Sequence, residues 1–433
     1  MYSSVRPSPA VPQAAADASG KRRLLLAILI GATVYQAVLC FVHTHFFRTT
    51  TAIVGVSELC IYIACGVLLF KRIELSFVAI LAMVGAYLLA LALLRSSLDP
   101  KGFRDIIILV LFYFLGRNFG DVKFADRALK IIIGIVLAMG FFELLMIDLY
   151  SKLFNVFSYY LSQGNLTGTN WAEGSKLALN GMRPEGIGRT ILPSLLGSHR
   201  ISSVFLEPVS MGNFSVIVAA WGLSKGWDEW RQMALFCGAA AVMIALADSR
   251  YGMVTVGLMV LARLTLSGAG NRVVMVLPFV CAVILVLFGL YYGSSYSDNI
   301  PGRLYLSGTT MIGFGAAEIF GLAGYNLNFG DMGYSIILTR FGLLGVAVLW
   351  ICLWMMKMRD ESGERFRTYV VIYLSLILCI SGTSLFALKS AGVLWFLLGC
   401  CVVRDKQWLA MPLRPGNAKA RTQSNAGKVH HAN

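Results

Sequence analysis

The sequence predicts an all-α integral membrane protein, and three observations carry that prediction. Apolar residues make up 57% of the 433-residue chain and charged ones only 14%, against about a quarter charged in a soluble domain. The apolar residues gather in runs of about twenty, the length a helix needs to cross roughly 30 Å of hydrocarbon. Lys and Arg concentrate in alternate connections between those runs, the bias that sets orientation in a membrane.

In chain order the runs predict about twelve spans, near 24–42, 51–70, 74–94, 105–116, 131–149, 204–223, 233–247, 251–266, 273–293, 333–356, 369–387 and 390–403. Residues 1–22, with Pro, Ala and Ser and no periodicity, read as a disordered leader. The first apolar run lacks a small-residue cleavage motif and reads as a retained anchor. The membrane domain covers 23–407, and the tail 408–433, with Pro412, Pro415 and Gly416, again reads as disordered.

Placing the amino terminus in the cytoplasm puts 24 of the 37 Lys and Arg residues inside. They fall in the leader, at Lys71 and Arg72, between Arg117 and Lys130, at Lys225 and Arg231, at Arg263 and Arg272, between Lys357 and Arg367, and in the tail. Both termini are then cytoplasmic. Two long loops, about 150–203 and 294–332, fall on the far side, which is the periplasm in a bacterial inner membrane. Topology and anionic headgroups account for the net charge of +15, so nucleic acid is not an expected partner.

All nine cysteines lie in predicted spans, so no disulfide is expected to hold the loops, and none of the spacings is a zinc pattern. His43 and His45 are two ring donors without a third ligand. No metal and no cofactor are expected.

The loops carry the chemistry. Residues 150–161, YSKLFNVFSYYL, are too short to cross and read as an interfacial helix; Tyr159, Tyr160 and Trp171 would alternatively offer flat faces to sugar rings. The Gly-, Asn- and Pro-rich stretch that follows holds Arg183, Arg189 and Arg200. Guanidinium forks meet phosphate oxygens two at a time and keep their charge when half buried, so three of them suit a diphosphate clamp; pairing with Glu173, Glu185, Glu207 or headgroups is the plainer alternative. Glu207-Pro208 opens the sixth span. The carboxylate there is either a helix cap or the partner of Arg200. Asp248-Ser249-Arg250 sits at a minimal turn near the surface, where ionisable groups are functional or paired. The second loop holds Arg303 and ends on Asp331, which either caps the tenth span or acts as a base. Arg340 lies two turns further in, placed for snorkelling or an ion pair. Glu58 and Glu143 stand as isolated acids inside spans; a transporter would use such groups as proton relays, but no internal repeat supports that.

The run Arg200-x-x-x-x-Phe205-x-Glu207-Pro208-x-x-x-Gly212, the Ser249-Arg250 pair opening a helix, and Asp331-x-x-Tyr334 leading to Arg340-Phe341-Gly342-Leu343-Leu344-Gly345 together resemble the O-antigen polymerase and O-antigen ligase superfamily. Within it the chain looks most like exopolysaccharide polymerases of the xanthan type. The resemblance implies a helical, GT-C-like, metal-independent membrane glycosyltransferase. Its substrates would be an undecaprenyl-diphosphate-linked oligosaccharide and the growing polysaccharide chain, with a chain-length copolymerase and a flippase as neighbours in the pathway. It assigns the diphosphate to Arg183, Arg189, Arg200, Arg250 and Arg303. The ligase branch carries a histidine just ahead of the span that Asp331 precedes here, and this chain has none.

That chemistry stands on its own terms. Fixed cations in a site shielded from water can meet the charge growing on a departing diphosphate. The incoming hydroxyl needs orientation and a carboxylate for its proton, for which Asp331 and Glu207 are the candidates. One displacement without a covalent nucleophile inverts the anomeric carbon. The alternatives are a ligase-type glycan transferase and a transporter or flippase of lipid-linked oligosaccharide.

Overall fold

The computed structural model describes residues 11–70, 73–164, 177, 189–197, 199–266, 268–292, 300–324, 329, 332–382 and 384–403. Seventeen α-helices follow in order: α1 (Val11–His45), α2 (Thr51–Phe70), α3 (Leu75–Arg95), α4 (Pro100–Phe119), α5 (Val122–Leu145), α6 (Ile147–Leu153), α7 (Val156–Ser162), α8 (Pro193–Leu196), α9 (Pro208–Ser224), α10 (Trp230–Ala247), α11 (Arg250–Thr265), α12 (Leu277–Tyr291), α13 (Ile300–Ile312), α14 (Ala316–Ile319), α15 (Gly333–Met355), α16 (Glu361–Ile377) and α17 (Leu388–Cys400). Among the described residues there is no β-strand, only an isolated bridge between Met358 and Val402.

Among the described residues seven segments are long and apolar enough to cross a membrane: Ser19–His45, Thr51–Phe70, Leu75–Arg95, Val122–Leu145, Trp227–Ala247, Arg272–Tyr291 and Gly333–Met355. The chain is therefore an all-α protein of multi-pass membrane type. Helices also occupy the other five expected runs, but α4 carries Lys101, Arg104, Asp105 and Arg117, and α9, α11, α16 and α17 are shorter. Two other expectations change. The helix of the first run begins at Val11, so the leader is helical from that residue on, and the second long loop contains α13 and α14. The tail expected at 408–433 lies outside the described residues.

Burial sorts the helices. α3 is peripheral, with only 11% of its most apolar window buried, whereas almost every side chain of α9 is buried. A helix that is apolar all round belongs in the middle of its bundle, and α9 packs on α10, α11, α16 and α17.

The second firm contact is α4 on α17. The sequence Gly116-Arg-Asn-Phe-Gly120 is a small-xxx-small pattern that lets two helix backbones approach closely. A Cβ on Gly116 would overlap the Phe396 carbonyl, one on Gly120 the Cys400 sulfur, and one on Gly399 the Tyr113 carbonyl. Gly399→Leu is therefore expected to separate the pair, costing about 1–3 kcal/mol or more by overpacking. The melting temperature of the detergent-purified protein checks it, since an unchanged value would mean that the crossing is loose.

Candidate functional site

The corner between α10 and α11 gathers three of the expected residues. α10 ends at Asp248, which adopts a left-handed φ of 49°, a conformation Asp tolerates because its short side chain can bond locally. Its Oδ1 accepts the backbone N–H groups of Thr190 and Ile191 at 3.0 and 2.9 Å, so the first loop is laid across the turn. Arg189 then caps the helix. Its guanidinium donates to the carbonyls of Ile191 and His199, and to those of Ala245 and Leu246 in the last turn of α10. Burial lowers its pKa, with Asp248 opposing the shift. These donors are spent inside the protein, so Arg189 orders the loop rather than facing a ligand.

Arg200 Nε donates to the Ala247 carbonyl at 3.1 Å, and Arg250 Nε to Thr190 Oγ1 at 2.7 Å. Both arginines are half-buried at the same corner. Arg303 lies on α13, which packs on α12 and α15. Arg183 and Asp331, the other expected diphosphate ligand and the other candidate base, lie outside the described residues, as does Trp171.

The chain reaches Glu207 through a strained bend. Ser203 and Leu206 both have positive φ, 54° and 60°, a cost borne only where surroundings enforce it. The enforcement comes from Glu143, expected as an isolated acid. It is fully buried and accepts Ser202 N at 3.0 Å, Ser203 N at 2.6 Å, the Ser202 hydroxyl at 3.1 Å and His199 Nε2 at 2.8 Å. Tyr150 adds a bond from its hydroxyl to the Ser203 carbonyl at 2.8 Å.

Glu207 stands at the head of α9 without capping a backbone N–H, so the cap expectation gives way. Nor is Arg200 its partner. Its Oε2 accepts from Ser210 Oγ at 2.7 Å and from Lys389 Nζ at 3.0 Å, and its side chain keeps 32% exposure. Five residues on, Gly212 packs against Ser249, where a Cβ would strike the Ser249 hydroxyl. This contact brings the first turns of α9 beside Arg250 and gives the spaced Glu-Pro-x-x-x-Gly and Ser-Arg motifs a physical reason.

Lys389, in the first turn of α17, is the residue that sequence reasoning missed. It is only 3% exposed, and its ammonium donates to Gln36 Oε1 at 2.8 Å, the Phe205 carbonyl at 2.9 Å and Glu207. A signal existed: Lys389 falls in the short turn between the last two predicted spans, with apolar runs on both sides.

From Lys389 a polar layer runs across the bundle. Gln36 Nε2 donates to Tyr35 Oη at 3.3 Å, and Tyr35 donates to Glu58 at 2.8 Å. Glu58 lies 3.6 Å from Arg104, which pairs with Asp105 at 2.8 Å. Arg340 closes the layer between Asp105 at 3.1 Å and Asp99 at 2.9 Å. Glu58 is thus not isolated, and Arg340 takes the ion-pair alternative. Buried charges persist only when paired in this way.

Beside Arg340 the helix α15 breaks, because Gly342 sits at φ 65°. The break strips carbonyls of their intrahelical donors, which nothing in a hydrocarbon layer can replace except protein. Arg95 donates to the carbonyls of Gly321, Thr339 and Arg340. Tyr87 donates to Phe341 O at 2.6 Å and accepts from Gly345 N at 3.1 Å. An apolar cavity of about 320 Å³ runs along α15, lined by residues such as Met83, Leu109, Phe279, Phe341 and Trp350.

Two further expectations change. Tyr159 and Tyr160 are buried, so they offer no face to sugars, and residues 150–161 form parts of two short helices packed on α1. His43 Nδ1 accepts Thr49 N at 3.0 Å, so its proton resides on Nε2, which meets Ser158 Oγ at 2.9 Å. Both ring nitrogens are engaged, and among the described residues no three His, Cys, Asp or Glu side chains gather as a metal site.

No family model, no curated protein and no solved structure matches the chain. Glu143→Ala is expected to cost about 1.5–3 kcal/mol through hydrogen bonds lost from a charged acceptor and to loosen residues 199–203. Faster limited proteolysis within that bend, with the rest of the chain as resistant as before, is the outcome to look for.

Proposed function

We propose that this protein is a polysaccharide polymerase. It would join undecaprenyl-diphosphate-linked oligosaccharide units at the periplasmic face of a bacterial inner membrane, with twelve crossings of GT-C-like kind and both termini in the cytoplasm. The observation that carries the reading is the corner where Arg200 and Arg250 bond the α10–α11 turn and the loop laid across it, beside the Gly212–Ser249 contact in the early turns of α9. In this reading the two guanidinium groups stabilise the departing diphosphate in a site partly shielded from water, where fixed donors act most strongly. Glu207 receives the proton of the attacking hydroxyl, and inversion follows from the single displacement. The apolar cavity along α15 supports a substrate with a long hydrocarbon chain. Arg189, Asp248 and Glu143 hold the loop from which Arg200 projects.

A second reading, a transporter of lipid-linked oligosaccharide, draws on one observation: the broken helix α15 with the paired charges Arg340, Asp99, Asp105 and Glu58 beside it, a combination that transporters use at their binding sites. The polymerase reading predicts that Arg200→Ala and Arg250→Ala each lower polymer formation by roughly 10²–10³-fold, with the protein still in the membrane and single repeat units left on their lipid on the periplasmic side. Electrophoretic sizing of the glycan checks this. Units retained on the cytoplasmic leaflet would favour the transporter instead.

A further inference from the structure

Glu207 and Lys389 lie 182 residues apart in the sequence and meet at the head of the bundle's central helix. The Glu207 side chain is one-third exposed, while Lys389 is almost wholly enclosed. The ammonium is held from three sides. Gln36 of α1, the carbonyl of Phe205 in the strained bend, and the Glu207 carboxylate take one bond each, matching the three donors of an ammonium. Both Lys389 and Ser210 bond the same carboxylate oxygen, Oε2. The pair is therefore asymmetric: one oxygen is anchored in the bundle, and 32% of the side chain stays exposed.

We propose that Lys389 is a positioning residue for Glu207, fixing both the orientation and the charge of that carboxylate so that it can accept a proton from a hydroxyl substrate. The proposal rests on the reading of Glu207 as the base. A structural pin alone would need only the bond to Phe205. The contact to the exposed carboxylate adds an electrostatic effect: a cation at 3.0 Å favours the ionised form. The other titratable groups facing the pair are Tyr159 and Tyr160 of α7, with Cys40 of α1 next to them. Tyr35 and Glu58 stand beyond Gln36. None of these is a cation, and Lys389 is the cation in direct contact with Glu207.

The test uses the full-length protein in lipid nanodiscs and an undecaprenyl-diphosphate-linked repeat unit, with polymer formation followed across pH. Lys389→Met and Lys389→Gln remove the charge, the latter keeping a hydrogen-bonding side chain; Lys389→Arg keeps it. Loss of a nearby cation raises a carboxyl pKa, so the acid limb of the profile is expected to move up by about one to three pH units in the Met and Gln variants and to stay in place with Arg. The Glu207 carboxylate band, isolated by infrared difference against Glu207→Gln, is expected to move in step. An unmoved acid limb and an unmoved band, with activity falling only as folded protein is lost, overturns the assignment. If the unaltered protein forms no polymer, the enzymatic reading falls, and the infrared titration alone decides whether Lys389 governs Glu207.

Discussion

Arginine donated to the last carbonyls of a helix is the interaction on which this architecture depends. Every helix ends with carbonyls that lack intrahelical donors, and in a bundle with short, interrupted helices many of those ends fall where water is scarce. Arg189 and Arg200 take the end of α10. Arg263 and Arg365 take the end of α9, bonding Leu223, Lys225 and Ser224. Arg95 takes the broken end within α15, and Arg367 takes Trp354 and Met356 at its far end. The positive charge also suits the negative pole of each helix. A guanidinium does this better than an ammonium because its donors spread over a planar fork.

This use of arginine separates two populations that look alike in sequence. Arg189 and Arg200 are eleven positions apart in one loop. Only the structure distinguishes Arg189, whose donors face carbonyls on several sides, from Arg200 and Arg250, which remain half-buried at the corner's rim. The same holds for acids. Glu58 and Glu143 were visible as carboxylates inside apolar runs, but Arg104 and the Ser202 and Ser203 amides lie dozens of residues away. Burial is a local property that hydropathy reports; pairing is a tertiary one that it does not.

The helical class and the places of the main helices were legible, because runs of about twenty apolar residues have few other solutions. The number of crossings was less so. α9 and α17 are short helices whose heads stop at the polar layer formed by Glu207, Lys389 and Arg340, and hydropathy averages across such a layer. The Glu207-Pro208 motif was legible as a helix start, since Pro suits a first turn. The partner of Glu207 was not, because an ammonium 182 residues away leaves no trace in local spacing.

The interruption at Gly342 has a mechanical meaning. No helical continuity ties residues 333–341 to the remainder of α15; they are fastened by Arg95 at the end of α3, by Asp99 and Asp105 at the start of α4, and by Tyr334, which bonds Ser375 and Leu378 at the end of α16 and Pro278 of α12. That short rod is thereby a coupling between the α3–α4 hairpin and the end of α16, so a tilt of the hairpin is passed to α16 without travelling through the rest of α15.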